Sequence, residues 1–143
     1  MPICATDVKY YLLLPSVAHI GTSIDNVQWE TILRSVSAHR AYRWLYGAEI
    51  SALKIAEFLI LYRQMPRSLA FCCERMEAHL AQLQRHYGEE TEAWRLAHAL
   101  SHEKLAGPIQ SIFDSGLHQY VTSFLCDTAA LARQVERNYR FVE

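Results

Sequence analysis

Glycine and proline are scarce in this 143-residue chain, five and four respectively, and they fall between periodic segments. A sheet protein needs many turns, so the scarcity favours helices. Sustained strand-like alternation is also missing. Neither sign of charge dominates: fourteen basic side chains face fifteen acidic ones. No net field draws the chain to nucleic acid or to anionic lipid. No run approaches the ~20 apolar residues of a membrane span. The apolar stretch YYLLLPSVAHIG, residues 10–21, is cut by Pro15 and Gly21 and lacks the basic start of a signal peptide. Cys4, Cys72, Cys73 and Cys126 form no Cys-x-x-Cys pair and no metal spacing, which fits a reducing, cytoplasmic setting. Phosphate-binding glycine loops and nucleophile elbows are absent as well, and no spacing ties serines, cysteines and histidines into a triad. No catalytic residue and no cofactor is assigned.

What is present is helical periodicity over one domain's length, 1–143. A helix is expected to end over 6–14, before Pro15. Asp25 and Gln28 read as a capping box opening a stripe of Val27, Ile32, Leu33 and Val36. Ala38, Tyr42, Leu45 and Tyr46 continue that stripe, either directly or after a kink, to Gly47, a C-terminal cap residue. A shorter helix follows over about 50–62. Pro66 ends it near Tyr62–Gln64 and is tolerated at the start of the next helix. Leu69, Cys73, Met76, Leu80, Leu83 and Tyr87 then recur at three and four, a core-facing seam. Cys73 lies on that seam and Cys72 about 100° round the helix from it, so the two thiols pack rather than bridge. Gly88 closes the seam, and Thr91 caps a helix over about 92–106 with Trp94, Ala97, Leu100 and Leu105 apolar. Gly107–Pro108 breaks it. A short turn or helix holds Ile109, Ile112 and Phe113. The final helix runs to about Tyr139 with Leu117, Tyr120, Phe124, Thr128, Leu131 and Val135 inward. The fold class is all-α: an antiparallel up-and-down bundle of five to six helices.

Two constellations could carry chemistry. His98 and His102 stand four apart in HALSHE and share a helix face, as zinc ligands do. Ala99 stands where the protease motif needs glutamate, and no third ligand is evident by spacing, so surface histidines are the competing reading. Trp29, Tyr42, Trp44 and Tyr46 interleave with Arg34, Arg40 and Arg43 in a locally basic interval. They line a groove for an anionic or planar ligand, dock a partner helix, or form the rim of the core. A carboxylate-bridged di-metal bundle is disfavoured, because the chain has no Glu-x-x-His.

DVKYYLLLP (7–15), QWETILRSVSAHRAYRWLYG (28–47), FLIL (58–61), PRSLAFCCERM (66–76) and GLHQYVTSF (116–124) together resemble the alpha-E family of bacterial all-helical proteins. The resemblance covers nearly the whole chain and implies the C-terminal half of a longer protein. The family's Glu-Arg motif precedes the aligned region and is not carried onto Glu74–Arg75. The chain would be a naturally short form or a fragment. The resemblance implies an accessory or scaffold role beside ATP-grasp-type ligases and transglutaminase-like proteases, in making or processing a peptide or amide bond. Apolar stripes that would face a missing half imply a partner helix or a homodimer. The leading expectation is a non-enzymatic helical module of such a system. The alternative is a small-molecule- or metal-binding component of an enzyme. Trp29, Arg34, Tyr42, Arg67 and Ser68 are the candidate ligand residues, since Arg34 and Arg67 could grip a carboxylate or phosphate bidentately. Their other reading is capping helix ends and tying loops. His98 and His102 are the alternative metal pair.

Overall fold

A computed structural model describes residues 23–88 and 90–139. The expected helix over 6–14 and Cys4 lie outside the described residues. The chain forms two compact units, one up to Leu69 and one from Ala70. Among the described residues every regular element is helical, and no helix is long and apolar enough to cross a membrane.

The first unit holds α1 (Ser23–Ser35), α2 (His39–Tyr46) and α3 (Ala52–Ile60). α1 packs on α2 and α3. The expected stripe of α1 is the buried one: Ile32, Leu33 and Val36 are almost fully enclosed, while Val27 is exposed. Asp25 lies inside α1 rather than capping it, because the helix already begins at Ser23.

The stripe over 28–46 is two helices rather than one. Ser37 takes a left-handed φ of 56°. Its N–H donates to the Arg34 carbonyl at 3.0 Å, and the Ala38 N–H donates to the Leu33 carbonyl at 2.8 Å. These two bonds make a Schellman cap, completed by burial of both Ala38 and Leu33. Glycine usually fills this position, so serine concealed the break. α2 ends as expected at Gly47, where φ is 74° and the N–H donates to the Arg43 carbonyl at 2.9 Å. Ile55, Ala56, Phe58, Leu59 and Ile60 of α3 are all buried. α3 stops at Ile60, and turns over 61–68 precede the next helix. Pro66 therefore belongs to a turn, not to a first helical turn.

The second unit contains α4 (Leu69–Tyr87), α5 (Glu92–Ala99), a π-helical segment (Leu100–Lys104), α6 (Ile109–Ser115) and α7 (Leu117–Tyr139). The α4 seam behaves as its period dictates: Leu69, Cys73 and Leu80 are buried, and Cys72 is exposed beside Cys73. Tyr87, the last seam position, is 66% exposed. Thr91 caps α5 by accepting from the Trp94 N–H at 3.3 Å. α5 and α7 run antiparallel. Asn138, near the end of α7, accepts from the Ala93 N–H at 3.3 Å, at the start of α5. Tyr120, near the start of α7, donates to the Lys104 carbonyl at 3.1 Å, at the end of the π segment. Gly116 alone joins α6 to α7 with φ of 96°, and a Cβ there would collide with the Gln119 side chain.

The π segment replaces the last part of the single helix expected over 92–106. Its reason is visible in the burial pattern. Ala93, Ala97, Leu100 and Leu105 are buried at steps of four, three and five. A π-helix, with its i→i+5 hydrogen bonds, turns more slowly per residue than an α-helix, so a five-residue step brings Leu105 nearer the inward face than an α-helix would. With seven α-helices among the described residues, the element count exceeds the five or six expected. The split at Ser37 and the separate α6 account for the excess.

Candidate functional site

The five sequence candidates of the first unit have their polar groups engaged in the fold. Trp29 is 4% exposed in the helical core. Arg34 pairs with Glu30 one turn back at 2.7 Å, and His39 reaches the same carboxylate oxygen at 3.0 Å. The hydrogen bond from Arg34 holds the Glu30 carboxyl below its ordinary range. Tyr42 is fully buried, stacks on Tyr46 at 4.9 Å between ring centroids, and donates its hydroxyl to the Glu49 carbonyl at 3.0 Å. Burial pushes its phenol up. Arg67 donates to the Val36 carbonyl at 3.0 Å. That oxygen sits at the end of α1, where helical carbonyls lack intrahelical partners. Ser68, also fully buried, donates to the Tyr62 carbonyl at 2.7 Å and so pins the turns before α4.

Other residues of the basic interval differ. Lys54 is paired with Glu49 at 2.6 Å. Arg40 and Arg43, one turn apart on α2, have no side-chain hydrogen bond or ion pair among the described residues. Trp44 stands beside them, 88% exposed.

In the second unit the fold supplies what spacing could not. Glu77, on α4, meets both histidines of HALSHE. His98 Nδ1 lies 2.7 Å from Glu77 Oε1, and His102 Nε2 lies 3.1 Å from Glu77 Oε2. The two histidine side chains are about half exposed, whereas Glu77 is 17% exposed. The rings of Trp94 and His98 stack at 5.1 Å, and those of His98 and His102 approach at 4.3 Å. The stack runs along one edge of α5 and into the π segment, so the α-to-π transition falls between the two histidines.

Burial acts most strongly on the Glu77 carboxyl and pushes it up. The hydrogen bond from His98, the polar Ser101 hydroxyl and the charges of His102 and His98 outweigh burial and hold it below its ordinary value. Ser101 is 1% exposed, close to this carboxylate, and its hydroxyl lacks an aligned hydrogen bond. The near side of α7 fixes the segment: besides the Tyr120 bond, Lys104 pairs with Asp127. A concavity of about 420 Å³ opens here, lined by Leu96, Ala99, Leu100, Glu103, Lys104, Asp127 and Ala130. Its one lysine is neutralised by that ion pair.

One carboxylate and two imidazoles at hydrogen-bond distance can share protons or bind a cation. No sequence rule ties Glu77 to a histidine 21 positions away; only the packing of α4 beside α5 does.

A family model described as "a predicted alpha-helical domain with a conserved ER motif" matches residues 1–140. Two Glu-Arg dipeptides occur in the chain, Glu74–Arg75 on α4 and Glu136–Arg137 on α7. The Arg75 guanidinium lies 5.3 Å over the Phe71 ring. No curated protein matches the chain at a significant level, and no solved structure does. A match over essentially the whole length settles membership: the chain belongs to the Alpha-E family.

Proposed function

We propose that this chain is a non-enzymatic helical interaction module serving an ATP-dependent peptide ligase, amidoligase or peptide-processing system. It docks through the outer face of α2. The observation that carries the reading is Trp44, 88% exposed beside Arg40 and Arg43. Tryptophan and arginine are the residues that most often anchor protein interfaces. A tryptophan left in water gains by burial, and two unpaired guanidinium groups one turn apart repel each other slightly. An acidic, partly apolar surface satisfies both. A second copy of the chain, the homodimer expected from the sequence, fits this face less well. A two-fold axis there sets each arginine pair against its own image.

The partner class, an ATP-grasp-type ligase or a transglutaminase-like protein, rests on the family resemblance. The test is co-purification of the chain with an ATP-grasp-type ligase and with a transglutaminase-like protein. Trp44→Ala is expected to abolish capture, while Arg40→Glu/Arg43→Glu weakens it and removes its salt dependence. Capture unaffected by all three changes rejects the docking face. Dimers seen by light scattering and lost in Trp44→Ala favour the homodimer instead.

A further inference from the structure

We propose that Glu77, His98 and His102 hold one divalent transition-metal ion, zinc by the chemistry of the donors, with a coordination position left to water. Two imidazoles and one carboxylate are the ligand set of an open zinc site. Calcium and magnesium require cages rich in oxygen. The three donor atoms already lie within 4.8 Å of one another. Ligands around a tetrahedral zinc at ~2.0–2.1 Å stand about 3.3 Å apart. The His102 nitrogen is 3.1–3.2 Å from the Glu77 oxygens and the His98 nitrogen 2.7 Å. Binding asks that His98 and the carboxylate separate by about 0.6 Å and that the two ligand nitrogens settle at the tetrahedral spacing. The His98 side chain, 47% exposed, is free to make that adjustment.

Three features set this cluster apart from an ordinary surface ion pair. First, Glu77 is the enclosed member while the histidines face solvent. A half-sunk carboxylate calls for positive charge, and a dication held by all three side chains supplies it. Second, Ser101, the neighbour of His102 on the π segment, is buried and its hydroxyl has no hydrogen-bond partner among the described residues. That is the place of an outer donor that orients a ligating carboxylate. Third, His102 rides on the π segment, a rare element found often at functional sites. The segment is held from behind by Tyr120, so its position does not depend on the ion. The site belongs to the second unit and is independent of the α2 docking face; either proposal can fail alone.

The test uses the full chain, stripped with chelator and titrated with zinc sulfate by calorimetry. The wild type is expected to take one zinc per chain. Glu77→Gln weakens it roughly 10–100-fold, and His98→Ala/His102→Ala abolishes the one-site isotherm. Cobalt(II) in place of zinc should give a visible ligand-field band that the double variant lacks. The histidines are exposed, so circular dichroism should show the double variant folded. Absence of a one-to-one isotherm in the wild type overturns the proposal. So does equal binding by the double variant, which would place the ion elsewhere on the chain.

Discussion

In the first unit Tyr42, Arg67 and Ser68 each reach a backbone carbonyl, those of Glu49, Val36 and Tyr62. In the second, Glu77, His98 and His102 reach one another, half in solvent. Both groups are polar, and both stood out in the sequence or beside residues that did. The difference lies in what they satisfy. A side chain that completes a carbonyl at a helix end or a turn is working for the fold. Side chains that converge on each other satisfy no backbone group, and the fold does not need them for its hydrogen-bond inventory.

That contrast sharpens under substitution. The largest effect is expected at Ser68. Replacing it with alanine removes the donor to the Tyr62 carbonyl from a fully buried position. The Met65 N–H still reaches that carbonyl at 3.2 Å, so the loss should be about 1.5 kcal/mol. Urea denaturation with an unchanged m-value measures it. A loss near zero would return Ser68 to the pool of residues kept for a ligand.

Arg67→Ala comes next, at about 1 kcal/mol, because a charged donor is lost from the Val36 carbonyl at a partly exposed place. Arg67→Lys tests the same bond with one flexible ammonium in place of the planar fork. It should recover part of the stability. If Arg67→Ala leaves stability unchanged but weakens capture of a partner, the residue serves recognition rather than the fold.

Ser37→Gly should shift stability the other way, raising it by about 0.5–1 kcal/mol. Glycine tolerates the φ of 56° that serine endures at the end of α1. A fall instead would mean that unfolded-state entropy outweighs the relief.

The legibility of the chain follows the same division. The helices and their inward faces could be read because burial obeys a period. Cys72 and Cys73, adjacent yet exposed and buried, are the clearest instance. The break at Ser37 could be read only as an optional kink, since the residue that usually marks a helix end is absent there. The π segment left a trace, the five-residue step from Leu100 to Leu105, which looks like noise inside a helical stripe until Leu105 is seen buried. The pairing of His98 with His102 was legible from spacing. Its third member was not, because contacts between helices distant in sequence carry no periodic signature. The roles of Arg67 and Ser68 were legible as one of two readings, and only their carbonyl partners distinguish them.

The smallest effect concerns pH and falls on the second unit. Glu77 is a stronger acid in the folded chain than its ordinary value of 4.5. A carboxyl with a depressed folded pKa gives its full stabilisation above the unfolded value. It loses that share as pH falls through the folded one. The acid limb of stability below pH 4.5 should therefore flatten in Glu77→Gln, by less than about 1 kcal/mol because the histidine partners are half exposed. Without metal, wild type and Glu77→Gln should converge at the acid end of the titration. With zinc present, the wild-type curve should rise more at neutral pH than the Glu77→Gln curve, since only a bound ion adds stability where the carboxylate is already ionised and the wild type binds it more tightly. If zinc raises both curves equally, Glu77 is an ion-pair partner of two histidines and nothing more, and the contrast between the units narrows to one of exposure.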